Sequence, residues 1–522
     1  MMESNEILKF CIEKGVLLDK EVLNLFKEVG DVESAKLILE KIKMTTQKKI
    51  ITREIFDQNI EQVNQVFFGL PKENQKSLEK LKIKLGLSIE ISREKEVLNN
   101  SLGNFKKEES SGKVKILSKF FPKSKKLEVS DFVVYFKNRL SEMKNVLQEN
   151  PRLKNLVSIN KISENRQGFS IIGIVSDKRI TKNKNLLFEM EDLTGKIRIL
   201  VNENKKELIE QAREISLDSV VGFNCSGNRE ICFANDIIFP DSALSERKKS
   251  LVEEYALFIG DLHFGSERFL KDNFLKFIDY LNGKVPNTPE VAKIKYLFVV
   301  GDLVTGVGNY PNQESDLEVN DLEEQFSLMA GFLGMIRKDI KIIISPGNHD
   351  GVRLMEPQPL LDERYAWPLY ELENVVVTNN PTTVNIGSAD NFSGFNVLTY
   401  HGFSFPFYAG TVNSLVKTRA MNQPELIISY LLKNRHLAPT HASVQYFPSE
   451  QDAHLIRDVP DIFVAGHTHK SGVLYHNNIL IISVSSWEGM TPYQEKFGNE
   501  PDHCKVPMFN LKTRAVKILD FE

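Results

Sequence analysis

Histidine is unevenly placed in this chain of 522 residues: there are 10, and none precedes His263. Half of them stand just after short apolar runs, beside carboxylates and glycines. Tyr255–Ile259 leads into Gly260-Asp261-Leu262-His263, and Tyr296–Val300 leads into Gly301-Asp302. Ile342–Pro346 leads into Gly347-Asn348-His349-Asp350, and Asn396–Tyr400 leads into His401-Gly402. Ile462–Ala465 leads into Gly466-His467-Thr468-His469. Imidazole, carboxylate and amide oxygens without thiolate suit divalent ions such as Mn²⁺, Fe²⁺ or Zn²⁺. So many donors exceed the needs of one tetrahedral ion. They suit two ions about 3.5–4 Å apart sharing a carboxylate, the arrangement that hydrolyses phosphoesters. His436, His441, His454, His476 and His503 lack such a setting and read as surface or core histidines.

Positioning these groups requires strands that end at one rim. From residue 251 apolar strands alternate with helical stretches, an α/β texture in which ligands bind beyond the carboxyl ends of strands. A glycine at each turn lets the backbone bend and approach closely. In Asp261-x-His263 and His467-x-His469, alternating directions at i and i+2 allow service to different ions.

The preceding half supplies other elements. Residues 1–70 read as a small helical domain, with Ile7, Leu8, Cys11 and Ile12 on one face. Residues 71–127 read as a basic flexible linker, with eight lysines against two glutamates from Lys106 to Lys126. Residues 128–245 read as a β-barrel domain with a leading helix. Short apolar runs such as Phe169–Val175, Leu186–Met190, Ile197–Val201 and Val220–Asn224 are broken by turn signals. Phe188–Asp192 followed by Leu-Thr-Gly195 and Lys196–Val201 resembles an oligonucleotide-binding (OB) fold hairpin. Residues 246–522 carry the strand-end motifs. The fold class is thus multidomain α+β.

Composition narrows the function classes. The chain is 41% hydrophobic and 26% charged, with a net charge of −3, which excludes a uniformly cationic nucleic-acid binder. Cys11, Cys225, Cys232 and Cys504 lack zinc or redox spacing and read as reduced thiols. The sequence shows no signal peptide and no apolar run of about 18 residues, so a cytoplasmic, nucleoid-associated protein without a membrane partner is expected.

Taken in order, the five motifs resemble the signature of the calcineurin-like metallophosphoesterase superfamily over about residues 251–490. That resemblance implies a β-sandwich flanked by helices, with a dinuclear metal centre. The whole order of helical domain, basic linker, OB-fold barrel and phosphoesterase resembles the small-subunit family of archaeal family-D DNA polymerases. The stretches Gly301–Gly308, Leu431–Pro439, Pro460–His467 and Ser486–Gln494 support this. The chain is also similar to the B-subunits of eukaryotic replicative polymerases, which have lost ligands that are all present here.

The resemblance implies that Asp302 bridges both ions, that Asp261, His263 and His469 hold one, and that Asn348, His401 and His467 hold the other. It implies that His349 touches the scissile phosphate or the leaving 3′-oxygen and that Asp350 orients His349. One departure stands out: Thr305 replaces the acidic residue or histidine usual there. The implied function is 3′→5′ exonucleolytic proofreading of a primer end, with Mn²⁺ expected first and Fe²⁺ or Zn²⁺ as alternatives. A large catalytic polymerase subunit is the implied partner, scaffolded by this chain. Val114–Phe121 resembles a sliding-clamp peptide using Leu117, Phe120 and Phe121, with Val114 where Gln is usual. Two other readings remain: a free-standing double-strand-break-repair nuclease and a non-catalytic scaffold. Phosphoprotein phosphatases place an Arg-Gly pair where this chain has Thr305-Gly306-Val307.

Overall fold

The computed structural model describes residues 2–19, 23, 36, 39, 50–51, 113–118, 126–498 and 500–522. The chain divides into two compact units, 1–109 and 110–522. In the first unit, a helix spans Met2–Glu13 and buries Ile7 and Cys11. Gly15, at a φ of 63°, ends it. Strands β1 (Leu17–Leu18) and β2 (Ile50–Ile51) pair in parallel. The remainder of the helical domain expected over 1–70 lies outside the described residues, as does most of the expected linker.

One piece of that linker is ordered structure. Val114–Ile116 forms strand β3, paired antiparallel with β13 (Thr382–Ile386) at a sheet edge. The Leu117 amide extends the pairing by donating to the Thr383 carbonyl at 2.8 Å. Alternating Val-Lys-Ile inside a basic run is a two-faced strand, and Val114 packs against the core between the sheets. This strand lies within the stretch 71–127 expected as a basic flexible linker. Phe120 and Phe121 lie outside the described residues.

The helix Val129–Leu147 buries Tyr135, Arg139, Leu140, Met143 and Leu147 along one face. A closed barrel follows, built of β4 (Gln167–Ile180), β5 (Leu186–Asp192), β6 (Gly195–Val201), β7 (Val220–Gly227) and β8 (Cys232–Ile238). Its order is β4-β5-β6-β8-β7, with β6 and β8 parallel and a helix Lys206–Arg213 between β6 and β7. The β5–β6 turn closes because Asp192 Oδ1 accepts from the amides of Thr194 (2.6 Å) and Gly195 (3.0 Å). The barrel has its own core, yet Ile172, Val220 and Ile238 share a second cluster with Leu140, Met143, Leu147 and Leu455. Burial thus joins the regions expected as separate domains 128–245 and 246–522.

The last region is a sandwich of two six-stranded sheets. One runs β12 (Val375–Val377), β11 (Lys341–Ser345), β10 (Ile294–Val300), β9 (Tyr255–Gly260), β18 (Lys505–Asn510) and β19 (Val516–Asp520). The other runs β16 (Gly472–His476), β17 (Ile479–Ser483), β15 (Ile462–Ala465), β14 (Phe395–Tyr400), β13 and β3. Alternation sorts the side chains. Ala256, Phe258, Phe298 and Val300 meet Val397, Ile462 and Val464 between the sheets. Leu257, Ile259, Leu297 and Val299 meet outer helices through Phe274, Phe277 and Phe326. Both faces of the central strands are covered, which is why they read as unbroken apolar runs.

A buried polar network ties the leading helix to this sandwich. Arg139 Nε donates to Asp452 Oδ2 at 2.6 Å, as does Tyr135 Oη to Oδ1 at 2.6 Å. His436 Nε2 lies 2.9 Å from Asp452 Oδ2. His454 Nε2 and Tyr400 Oη each lie 3.0 Å from Glu356 Oε2.

Candidate metal centre

Five loops leave the carboxyl ends of β9, β10, β11, β14 and β15 and meet at one rim. Strands β9, β10 and β11 are parallel in one sheet, and β14 and β15 are parallel in the other. Contacts between the loops of the two sheets, His401 with Asp302 and His467 with Asp261, bring the five ends together. Asp261, His263, Asp302, His467 and His469 hold positive φ, from 45° to 69°. Such backbone costs of order 1–3 kcal/mol per non-glycine residue and concentrates at functional sites. A Cβ at Gly301 would collide with the His401 ring, and one at Gly347 with Asp302. These two glycines let the ligand-bearing loops touch.

The seven expected ligands come together in two groups. In the first, Asp261, His263 and His469 offer atoms within 4.8 Å of one another, and all three are buried. His263 Nε2 and His469 Nε2 face each other at 3.2 Å, and Asp261 Oδ1 lies 3.7 Å from His469 Nε2. In the second, Asp302, His401 and His467 lie within the same 4.8 Å limit. His401 Nε2 is 3.2 Å from Asp302 Oδ2 and 3.0 Å from Asn348 Oδ1. The groups interlock, because the His467 amide donates to both carboxylate oxygens of Asp261, at 3.1 and 3.0 Å.

Burial and neighbouring charge set the protonation of these groups. Burial pushes Asp261 well above the ordinary carboxylate range; His401 opposes the rise and Asp302 adds to it. Burial would raise Asp302 too, but His401 and His349 outweigh it and hold that carboxyl well below its ordinary range. Burial works to lower His401, yet Asp302 prevails and carries it to about 9. Burial lowers His263, lowers His467 to about 3, and drives His469 well below its ordinary value. Burial thus favours the neutral imidazole at His263, His467 and His469, beside carboxylates and an amide oxygen. His263 Nδ1 is buried with no hydrogen-bond partner. Divalent cations fit this donor set.

His349 sits at the edge of the centre. Its ring is edge-on to His263 at 5.1 Å, and its Nε2 lies 3.9 Å from Asp302 Oδ2. Its amide donates to Asp302 Oδ1 at 2.9 Å. Asp350 does not orient it, contrary to the sequence expectation. Asp350 Oδ1 accepts from the amides of Leu303 (2.7 Å) and Val304 (3.0 Å), and Oδ2 accepts from Gly347 (2.6 Å). Adjacent residues in a tight turn face apart, so this carboxylate pins the β10 and β11 loops together. The His349 ring is held instead by the Thr305 carbonyl, 2.9 Å from Nδ1. The Thr305 hydroxyl donates to the His263 carbonyl at 2.9 Å. The departure at Thr305 therefore serves through its backbone and a local tie.

Two further residues went unrecognised in the sequence as site residues. The Gln494 amide lies 2.9 Å from His469 Nδ1. Glu488 is buried, takes the Ser266 hydroxyl at 2.6 Å, and has Oε2 4.0 Å from His263 Nε2. Both lie in the Ser486–Gln494 stretch, whose Trp487 is fully buried and donates its amide to the Asp261 carbonyl at 3.0 Å.

Comparison with known proteins agrees with this geometry. A calcineurin-like phosphoesterase family model matches residues 256–471, and such a domain implies divalent metals. A DNA polymerase II small subunit of Methanothermobacter thermautotrophicus is 35% identical over 398 residues, covering 76% of this chain and 80% of that protein. One from Pyrococcus furiosus is 35% identical over 403 residues, covering 75% of this chain and 64% of its own length. One from Archaeoglobus fulgidus is 32% identical over 396 residues, covering 75% and 77%. The chain belongs to the family of archaeal DNA polymerase II small subunits.

Proposed function

We propose that this chain is the 3′→5′ exonuclease of a two-subunit DNA polymerase, hydrolysing the terminal phosphodiester of a primer strand and scaffolding a large polymerase subunit. The observation that carries the reading is the pair of interlocked ligand groups, Asp261/His263/His469 and Asp302/His401/His467 with Asn348, beside His349. Two divalent ions, Mn²⁺ first, would supply Lewis acidity toward the phosphodiester and the attacking water. The chain's residues do the rest. Asp302 would serve both ions; its Oδ2 lies 3.2 Å from His401 Nε2 and its Oδ1 accepts the His349 amide at 2.9 Å. The Thr305 carbonyl accepts the His349 Nδ1 proton, which turns Nε2 toward Asp302; the doubly protonated ring would pass its Nε2 proton to the leaving 3′-oxygen. Asp350 keeps the two loops in register.

The name small subunit supports a larger partner and a DNA substrate. We read the barrel as an OB fold. Its strand order, its parallel β6–β8 pair and the helix between β6 and β7 support that reading. A sliding-clamp contact through Leu117, Phe120 and Phe121 would compete with the pairing of β3 and the Leu117 amide with β13.

The test is Mn²⁺-dependent degradation of single-stranded and mismatched primer 3′ ends, by the chain alone and with its large subunit. His349→Ala should lower the rate at least about 100-fold, the scale of general acid–base catalysis. Equal rates in the variant would overturn the assignment. Failure to co-purify with any polymerase subunit would favour a repair nuclease.

A further inference from the structure

Beside the second ligand group lies a cleft of about 490 Å³, lined by Phe132, Met355, Phe403, His441 and Tyr446 among others. It adjoins the metal centre directly. Phe403 follows His401 by two residues, and its ring lies 5.6 Å from the His467 ring at an interplanar angle of 71°. The far wall is also aromatic. Phe132, on the helix Val129–Leu147, meets His441 edge-on at 5.7 Å, and His441 lies 4.9 Å from Tyr446. Phe132 and Phe403 are half-buried, and Tyr446 is buried. The Tyr446 hydroxyl is already engaged by the carbonyls of Ala438 and Pro439, so its ring serves as a fixed floor. Among the described residues, no carboxylate lines the cleft.

We propose that this cleft is a stacking site for unpaired nucleobases next to the phosphodiester held at the metal centre. The proposal rests on the phosphodiesterase reading for the phosphate and adds the recognition of the base. Flat rings and a thioether accept the π-face of any base, whereas the phosphate belongs at the metal centre. Four separate segments converge on the cleft: the leading helix, the loop after β11 with Met355, the β14 loop and the 441–446 loop. Its position one side chain from His467 matches the spacing within a nucleotide, where base and phosphate share one sugar. A strand melted from its template offers such bases, and a paired end does not. The cleft would therefore select frayed or mismatched ends.

The test uses the full chain and two fluorescent single-stranded 12-mers, one oligodeoxyadenylate and one with three abasic nucleotides at its 3′ end. Binding is read by anisotropy with the metals chelated, so that nothing is cut. The intact strand should bind about tenfold more tightly than the abasic one. Phe132→Ala and His441→Ala should erase the difference, and Phe132→Trp should keep it. Equal binding of both strands by the parent overturns the proposal. So does a contrast that survives Phe132→Ala. Hydrolysis of bis(4-nitrophenyl) phosphate in Mn²⁺ tests the underlying reading separately. Its absence in the parent overturns the phosphodiesterase, while the binding contrast alone decides the cleft.

Discussion

His349 and Asp350 are neighbours in sequence and do unlike work, and the difference lies in where the turn points them. The His349 ring depends on a backbone carbonyl, so changing the Thr305 side chain should leave it in place. Thr305→Val removes the 2.9 Å bond to the His263 carbonyl, a loss of about 1 kcal/mol of stability. Denaturant unfolding should register that loss, while primer-end hydrolysis stays within about threefold. A collapse of activity in the folded variant would mean that the hydroxyl touches the chemistry. Gln494 is the opposite case, since its amide meets a ligand imidazole. Partners of ligands typically govern metal affinity by about 10–100-fold. Gln494→Leu should therefore raise the Mn²⁺ concentration needed for half-maximal activity about tenfold or more. An unchanged Mn²⁺ titration would show that the contact is only structural.

At the scale of elements, the five loops converge because parallel strands place their carboxyl ends together. The outer edge of the second sheet is closed by β3, drawn from a segment whose composition reads as tether. Leu117→Pro would delete the donor that meets Thr383 and disfavour extended pairing beyond Ile116. Amide exchange of β13, Thr382–Ile386, should become faster in that variant, with a stability loss of about 1 kcal/mol. Unchanged exchange would show that β13 needs no neighbour on that side.

At the scale of the whole molecule, buried charge joins the leading helix to the sandwich. His436 donates from Nε2 to Asp452, and its Nδ1 accepts from the Ala438 amide at 3.0 Å, so it is neutral. Burial, with the Arg139 charge beside it, lowers His436 to about 3. Its unfolded value is about 6.5. Between those values the unfolded chain binds the extra proton, so stability falls as the pH drops from about 6.5 toward 3. The slope from this one group approaches 1.4 kcal/mol per pH unit. Asp452, held well below its ordinary range despite burial by Arg139 and His436, acts in the same direction at lower pH. His436→Gln should flatten the fall of Tm between pH 6.5 and 4 relative to the parent in the same Mn²⁺ buffer. Parallel curves would remove His436 from the acid sensitivity.

The sequence by itself determined the ligand types, their order and their placement after strands. Gly-Asp-x-His and Gly-His-x-His encode local chemistry and local geometry together, and buried parallel strands announce themselves as unbroken apolar runs. It also determined the barrel's turns, because Asp192 and Gly195 act within four residues. Only the tertiary structure decided which neighbours each polar atom meets. Asp350, Thr305, Glu488 and Gln494 acquire their parts from contacts across 25 to 222 residues of chain. Likewise β3 is a strand because β13 offers an open edge, and the aromatic cleft exists because Phe132 reaches a loop some 300 residues away. Periodicity reports which faces are buried. It carries no record of the partner against which they are buried.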